Sequence, residues 1–279
     1  MSTSDISLTA GMRTNLLNLQ NTSNLLNRTQ QRLSSGKQVN SALDNPTNYF
    51  AAQSATQRAG DLSARKDGMS EAVQTVAATN AGITAITGLI QAAKGIAQSA
   101  LSTSDTNVQS KLAAQYDTIR TQIDQMSSDS GYRGLNLLSN TGGAPTTLTV
   151  TFNENASSAL AVVGFLGNSS GLSLTQAGGA GGNWQATSSI TADSARMDSA
   201  ITSLRTSTQT LAANLNIITT RQGFTDNMIS TLQTGSDNLT LADMNQEGAN
   251  MLMLQTRQSL GTTSLSMSSQ AAQSVLKLF

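Results

Sequence analysis

The side chains that most often perform acid–base, nucleophilic or metal chemistry are scarce in this sequence. It contains no histidine and no cysteine, and its three glutamates, Glu71, Glu154 and Glu247, lie far apart along the chain. Without imidazole and thiol groups, the usual general base, thiolate nucleophile and zinc ligands are missing. The stretch GGAGG, residues 178–182, has no lysine after it, which favours a surface loop over a phosphate-binding loop. The sequence therefore predicts a protein that is not an enzyme, with no catalytic residue, cofactor or metal site.

Charge and hydropathy give little reason to expect a nucleic acid or a membrane as a partner. The 279 residues carry 16 basic and 16 acidic side chains, so the formal net charge is zero. No run of about 18 consecutive apolar residues occurs, and the N-terminus lacks the basic and apolar segments of a cleavable secretory signal. We expect no nucleic-acid binding and no membrane insertion. If the protein is secreted, we expect an export system that does not depend on a cleavable signal peptide.

Both ends of the chain carry apolar residues at alternating steps of three and four, the spacing of a coiled-coil helix. We call these two stripes the end seams. Their predicted polymerisation contacts are Met12, Leu16, Leu19, Leu26, Leu33, Met251, Leu254, Leu265, Ala272, Val275 and Phe279. Serine, glutamine and glycine interrupt both seams, which makes each too weak to hold alone and too apolar to leave in water. The end seams therefore favour pairing with each other and with other copies; a monomeric bundle is the alternative.

The elements between the end seams are also mostly helical. Heptad patterns over residues 72–100, 112–126 and 197–239 predict three further helices. In TLTVTFN, residues 147–153, Leu148, Val150 and Phe152 alternate with polar residues, and SALAVVGF follows, which predicts a β-hairpin. The Gly/Ser-rich residues after it predict a surface loop. The fold class is thus mainly α: long coiled-coil helices from both chain ends and a small β-hairpin region in the middle.

The polar stretch after the first seam carries a family signature. QRLSSGKQVNSALD, residues 31–44, contains an R-L-S-S-G run followed by V-N-S-A-x-D, and so resembles the N-terminal signature of bacterial flagellins. GYRGLNLLS, residues 131–139, is similar to the family's segment before its variable region, and residues 239–279 are similar to its C-terminal block. The resemblance covers roughly residues 1–140 and 190–279.

The resemblance implies an architecture of two layers, D0 and D1, joined by a spoke. Its segments would be 1–35, N-terminal D0 helix; 36–47, spoke linker; 48–138, N-terminal D1 helices; 139–192, β-hairpin and variable surface loop; 193–239, C-terminal D1 helix; and 240–279, C-terminal D0 helix. The spoke residues would be Arg32, Ser34, Ser35, Gly36, Asn40 and Asp44. Arg28, Arg32 and Lys37 near Asp44 are candidates for a charged belt there.

The resemblance also implies a function. The chain would be a structural subunit of the extracellular flagellar filament, secreted by type III export and used for swimming motility. Its partners would be other copies of itself, an export chaperone at the C-terminal segment, and the hook-associated and cap proteins. A hook–filament junction protein and a secreted coiled-coil adhesin or tip protein are the alternatives.

Two surface features follow from the same resemblance. IQAAKGIAQSA, residues 90–100, corresponds to the stretch that contacts the animal Toll-like receptor for flagellin; Ala92 and Gly95 replace an expected arginine and glutamate, while Lys94 keeps a positive charge. Flagellins of some lineages carry O-linked sugars, and simple solvated polar surface is the alternative. The candidate acceptors are Thr146, Ser169, Ser170, Thr187 and Ser188.

Overall fold

A computed structural model describes residues 10–141, 144–179 and 183–276, which are mostly helical. The helices are α1 (Ala10–Ser35), α2 (Pro46–Leu101), α3 (Thr106–Asp129), α4 (Thr187–Thr240) and α5 (Met244–Leu276). The strands are β1 (Asn140–Thr141), β2 (Ala144–Pro145), β3 (Thr147–Thr151) and β4 (Ala159–Val163). The predicted fold class, long helices from both ends with a small hairpin region in the middle, is confirmed.

Local sequence signals account for several helix boundaries. α1 stops before Gly36, whose φ of 69° is a left-handed conformation that glycine adopts without steric cost. α2 begins with Pro46, preceded by Asn45, whose side chain accepts a first-turn backbone N–H. Asp243 caps α5 in the same way, since its carboxylate accepts two backbone N–H groups. The polar residues between the helices therefore stop and restart them.

The chain divides into two compact units. The first combines the two chain ends, up to Gln57 and from Thr231, and the second is Arg58–Ser230. The first turns of α2 and the last turns of α4 thus belong to the first unit, where the hydroxyl groups of Thr56 and Ser236 lie 3.0 Å apart. The division falls inside both helices and not at their ends, where the family resemblance places its segment boundaries.

The second unit has one apolar core built by α2, α3, α4 and the hairpin region. Its largest fully buried side chains are Met69, Ile86, Ile90, Tyr116, Ile123, Leu137, Leu138, Trp184, Ile190, Met197, Leu204 and Ile218. One stretch of α2 is long and apolar enough to cross a membrane by length and composition alone. Ile86 and Ile90 of this helix pack in the core, so burial inside the protein accounts for part of its apolar composition.

The predicted hairpin is formed by β3 and β4, which pair antiparallel with Leu148 opposite Val162 and Val150 opposite Leu160. Val150, Val162 and Phe152 are buried. The side-chain alternation read from the sequence therefore identifies the face that packs inward.

The segment after the hairpin differs from its prediction as a surface loop. Trp184 is fully buried, packs against Tyr116 with ring centroids 5.0 Å apart, and donates its Nε1–H to Asp193 Oδ2 at 2.7 Å. Asp193 and Asp117 also accept backbone N–H groups of this segment, at 2.8 and 3.1 Å. These residues do form a loop, but the prediction that it lies on the surface is wrong for Ala177 and Trp184. Aspartate side chains of α3 and α4 accept N–H groups of the loop and hold it against the core.

Candidate self-assembly surface

The two end helices, α1 and α5, pack against each other within the first unit. Met12 of α1 and Leu254 of α5 are buried. At Gly261 of α5, an added Cβ would lie 3.1 Å from Cγ of Leu19. A glycine at this position therefore lets the two helices approach closely, with Leu19 of α1 lying over the backbone of α5.

The structure places the predicted end-seam residues at different depths. Met12 and Leu254 are buried, and Leu16 is 38% exposed. The half-buried members are Leu19, Leu26, Leu33, Met251, Leu265 and Ala272. Phe279 and the side chain of Val275 lie outside the described residues. The seams thus face the partner helix but leave part of their apolar surface uncovered.

Large apolar side chains off the seams are more exposed than the seam residues. Apart from Met244 at the first position of α5, these are Leu17 and Leu25 on α1 and Leu252, Met253, Leu260 and Met267 on α5. We call these six residues the outer apolar set. Leu252 and Leu260, the most exposed, are 67% and 65% accessible. A single heptad stripe does not predict the outer apolar set. The sequence signal for it is consecutive apolar residues, such as Leu16–Leu17 and residues 251–254, because neighbours in a helix cannot all face one partner helix.

The two linkers that join the end helices to α2 and α4 exchange backbone hydrogen bonds. The N–H of Gln38 donates to the carbonyl of Thr240 at 2.7 Å, and the N–H of Ala242 donates to the carbonyl of Gly36 at 3.0 Å. Lys37 and Leu241 form the antiparallel bridge between them. The residues predicted as the spoke therefore pair, through backbone hydrogen bonds, with the linker between α4 and α5.

Asp44 organises the N-terminal linker. Its Oδ2 accepts the backbone N–H groups of Asn40 and Ser41 at 3.1 and 3.0 Å and the Ser41 hydroxyl at 3.2 Å. These backbone N–H groups lower the pKa of Asp44, because they stabilise the charged carboxylate. Ser34 and Ser35 instead bond locally, Ser34 to the carbonyl of Gln31 and Ser35 to the backbone around it.

The charged belt expected around Asp44 is arranged differently. Nη1 of Arg32 pairs with Oε1 of Glu247, on α5, at 2.9 Å, while Arg28 lies 4.0 Å from Asp44. Lys37 forms no ion pair with a described residue. Arg32 therefore connects the end of α1 to the first turn of α5, a contact that sequence reasoning missed because its partner is 215 positions away.

The receptor-equivalent residues lie on the surface of α2. Ala92 and Gly95 are exposed, and Lys94 Nζ pairs with Oδ1 of Asp198 on α4 at 2.5 Å. The positive charge expected to face a receptor thus already has an intramolecular partner.

The candidate sugar acceptors differ in accessibility. Ser170, Thr187 and Ser188 are exposed, and Thr146 is half-buried. Ser169 is buried: its N–H and hydroxyl both donate to Asp124, at 2.7 and 3.0 Å. The structure contradicts the expectation that Ser169 is an exposed acceptor. Asp124 holds Ser169 inward, much as Asp193 holds Trp184.

Within residues 10–141, 144–179 and 183–276, no three acidic side chains gather into a group that could hold a metal ion. Among the described residues, Tyr116 has the most strongly perturbed pKa, which is raised because burial disfavours the phenolate. Its hydroxyl donates to the carbonyl of Thr175 at 3.0 Å, which gives it a structural role in holding the anchored loop.

Comparison with known proteins agrees with this architecture. The family model described as the bacterial flagellin N-terminal helical region matches residues 6–142. The chain is 30% identical to flagellins FljM and FljK of Caulobacter vibrioides, with all of both chains covered in each case. It is 28% identical to a flagellin of Brucella melitensis, over 95% of each chain. A mainly helical chain that is 30% identical to FljM and FljK over the whole length of both chains belongs to the flagellin family.

Proposed function

We propose that this chain is a structural subunit of the bacterial flagellar filament. The observation that carries the proposal is the outer apolar set on paired end helices, because apolar surface of this kind on an otherwise polar helix pair is suited to contact with other copies. In this proposal the end helices α1 and α5 supply the D0 layer, the linker after α1 supplies the spoke, and α2, α3 and α4 supply D1.

The proposed mechanism is hydrophobic association without chemistry. Burying a leucine or methionine side chain fully contributes roughly 1.5–3 kcal/mol, and each subunit presents six such residues in the outer apolar set. Association also costs translational freedom and side-chain ordering. A contact between two copies is therefore modest, but each subunit of a filament repeats it with several neighbours, so that the polymer gains stability that the free chain lacks.

The remaining partners belong to the same proposal. Export through the type III route, an export chaperone that binds residues 240–279, and contacts with hook-associated and cap proteins follow from family membership. The exposed Leu252 and Leu260 support a chaperone contact, because a monomer in transit must shield the same apolar side chains that later meet other subunits.

Polymerisation of purified protein tests the proposal. We expect filaments in negative-stain microscopy of the unmodified chain, and we expect Leu252→Ser with Leu260→Ser to raise the critical concentration for assembly at least about 100-fold. The matched control is Val108→Ser, an exposed apolar residue on α3 of the second unit. Circular dichroism should be unchanged in both variants. Absence of filaments from the unmodified chain, or normal assembly of the double variant, would contradict the proposal.

A further inference from the structure

Leu43, in the linker between α1 and α2, is the most exposed of the large apolar residues described in this structure. Its accessibility is 96%, so it makes almost no contact within its own chain. A single exposed leucine is ordinary on a protein surface. This one, however, lies on a turn that hydrogen bonds hold in place, and the same unit carries a groove large enough for a leucine side chain.

The turn that carries Leu43 is fixed by hydrogen bonds on both sides. The N–H of Asp44 donates to the carbonyl of Ser41 at 3.1 Å, and the Asp44 carboxylate accepts the N–H groups of Asn40 and Ser41. The Asn40 side chain donates to the carbonyl of Lys37 at 3.0 Å. A leucine on such a turn loses little conformational freedom when it is buried in a partner, which lowers the entropic cost of contact.

A groove of about 310 Å³ lies in the same unit, between the N-terminal linker, the start of α2 and the end of α4. Its apolar lining is Tyr49 together with the buried Val39 and Ala52. The other seven lining residues are polar or charged: Lys37, Asn40, Gln53, Thr56, Gln57, Ser236 and Thr240. At about 30 Å³ per water molecule, this volume corresponds to about ten waters, which is ample for the four carbon atoms of a leucine side chain.

The charges beside the leucine and beside the groove are opposite. Asp44 follows Leu43 directly. Its Oδ2 accepts hydrogen bonds from its own turn, and its Oδ1 lies 4.0 Å from Nη2 of the mostly exposed Arg28. Lys37 lines the groove and forms no ion pair with the part of the chain that the structure describes. Insertion of Leu43 into a groove on another molecule would bring a carboxylate toward an unpaired ammonium group.

We propose that Leu43 inserts into this groove of a second copy of the chain and forms a specific contact between filament subunits. The inference rests on the proposed function. Leu43 is not among the residues that line the groove, so the contact would join two different surface features; a heterologous contact of this kind can repeat without closing, as a filament requires.

The absence of cysteine from the sequence allows a sharp cross-linking test. One preparation carries Leu43→Cys and a second carries Gln53→Cys, an exposed residue that lines the groove. The two are mixed, polymerised and oxidised, and cross-linked peptides are identified by mass spectrometry. Because each chain has one thiol, a disulfide between the two sites must join two molecules. We expect it in filaments and not in the unpolymerised mixture.

The matched control for the groove is Ser54→Cys, the exposed neighbour of Gln53 that does not line it. A mixture with this control should give at most about one-tenth of the cross-link. In parallel, Leu43→Ser should raise the critical concentration about tenfold or more, whereas Leu43→Met should stay within about threefold of the unmodified chain. Both substitutions lie on the surface and leave the fold intact.

The outcomes separate this inference from the proposed function. Filaments that form without the specific cross-link, and with an unchanged critical concentration for Leu43→Ser, would overturn the Leu43 contact and leave the filament function standing. Equal cross-linking of Gln53→Cys and Ser54→Cys would also overturn it, since the contact would then lack a defined partner groove. Failure of the unmodified chain to polymerise would overturn both proposals.

Discussion

Neutralising Glu247 should loosen the pair of end helices more than any change at a neighbouring exposed ion pair. Glu247 lies in the first turn of α5, where the helix dipole favours a negative charge, and it pairs with Arg32 near the end of α1. The side chains are 9% and 22% exposed. Nε of Arg32 is already buried without a hydrogen-bond partner among the described residues. Glu247→Gln would therefore leave a largely buried guanidinium without its counter-charge.

The size of the effect can be bounded from the geometry. Two unit charges 2.9 Å apart attract each other by about 6 kcal/mol at an effective dielectric constant of about 20, before desolvation is subtracted. Removing one partner of a buried pair typically costs about 3–5 kcal/mol. Because Arg32 keeps part of its side chain in water, we expect Glu247→Gln to lower the free energy of opening the α1–α5 pair by about 2–3 kcal/mol, a factor of about 30 to 150.

Hydrogen–deuterium exchange measures this quantity directly, since amides in the pair exchange through local opening. We expect exchange in residues 29–35 and 248–254 to accelerate by that factor in Glu247→Gln, with little change in the second unit. Arg28→Ala is the control: Arg28 lies one turn before Arg32, is mostly exposed, and sits 4.0 Å from Asp44, so its loss should cost less than about 1 kcal/mol. Equal acceleration in the two variants would refute the reasoning.

Three further predictions concern other parts of the chain. The hydrogen bonds that lower the pKa of Asp44 stabilise its turn above the carboxyl's unfolded pKa of about 3.9, and this contribution should disappear as the pH falls through the lower folded pKa; amide chemical shifts in an acid titration, with Asp44→Asn as the reference, would test it. Asp193→Ala should destabilise the second unit by about 3–5 kcal/mol in denaturant titrations, whereas Asp198→Ala, in an exposed pair, should cost less than about 1 kcal/mol. The monomer should activate the animal Toll-like receptor for flagellin weakly in reporter cells, and Ala92→Arg with Gly95→Glu should partly restore activation; full potency of the unmodified monomer would contradict this.

The helices and the hairpin could be predicted from the sequence because the spacing of their apolar residues is periodic and local. A repeat of three and four residues identifies a helix whatever it packs against, and Val150 and Phe152 alternate with polar residues in the way a half-buried strand requires. Gly36 and Pro46 mark helix boundaries through backbone geometry that needs no tertiary information. Segment types therefore follow from the sequence even where their contacts do not.

The contacts that hold the irregular segments depend on residues distant in sequence. Nothing near Trp184 indicates that its ring will pack against Tyr116 of α3, and a Gly/Ser-rich neighbourhood argues for solvent exposure. Ser169 is misjudged for the same reason, since its partner Asp124 lies on α3. A sequence pattern reports the composition of a loop, whereas its burial depends on which helix side chains satisfy its backbone.

The paired linkers show why two helix-breaking stretches occur at corresponding places near the two chain ends. The end of a helix leaves backbone N–H and C=O groups without intrahelical partners. Water could satisfy these groups, but the loop would then have no fixed conformation. Here the carbonyls of Gly36 and Thr240 accept N–H groups from the opposite linker, so each interruption satisfies the other. That exchange fixes the end of α1 beside the start of α5, within reach of the Arg32–Glu247 pair. The two linkers thus set the register in which α1 and α5 pair. That register in turn determines which apolar side chains the pair presents to other copies of the chain.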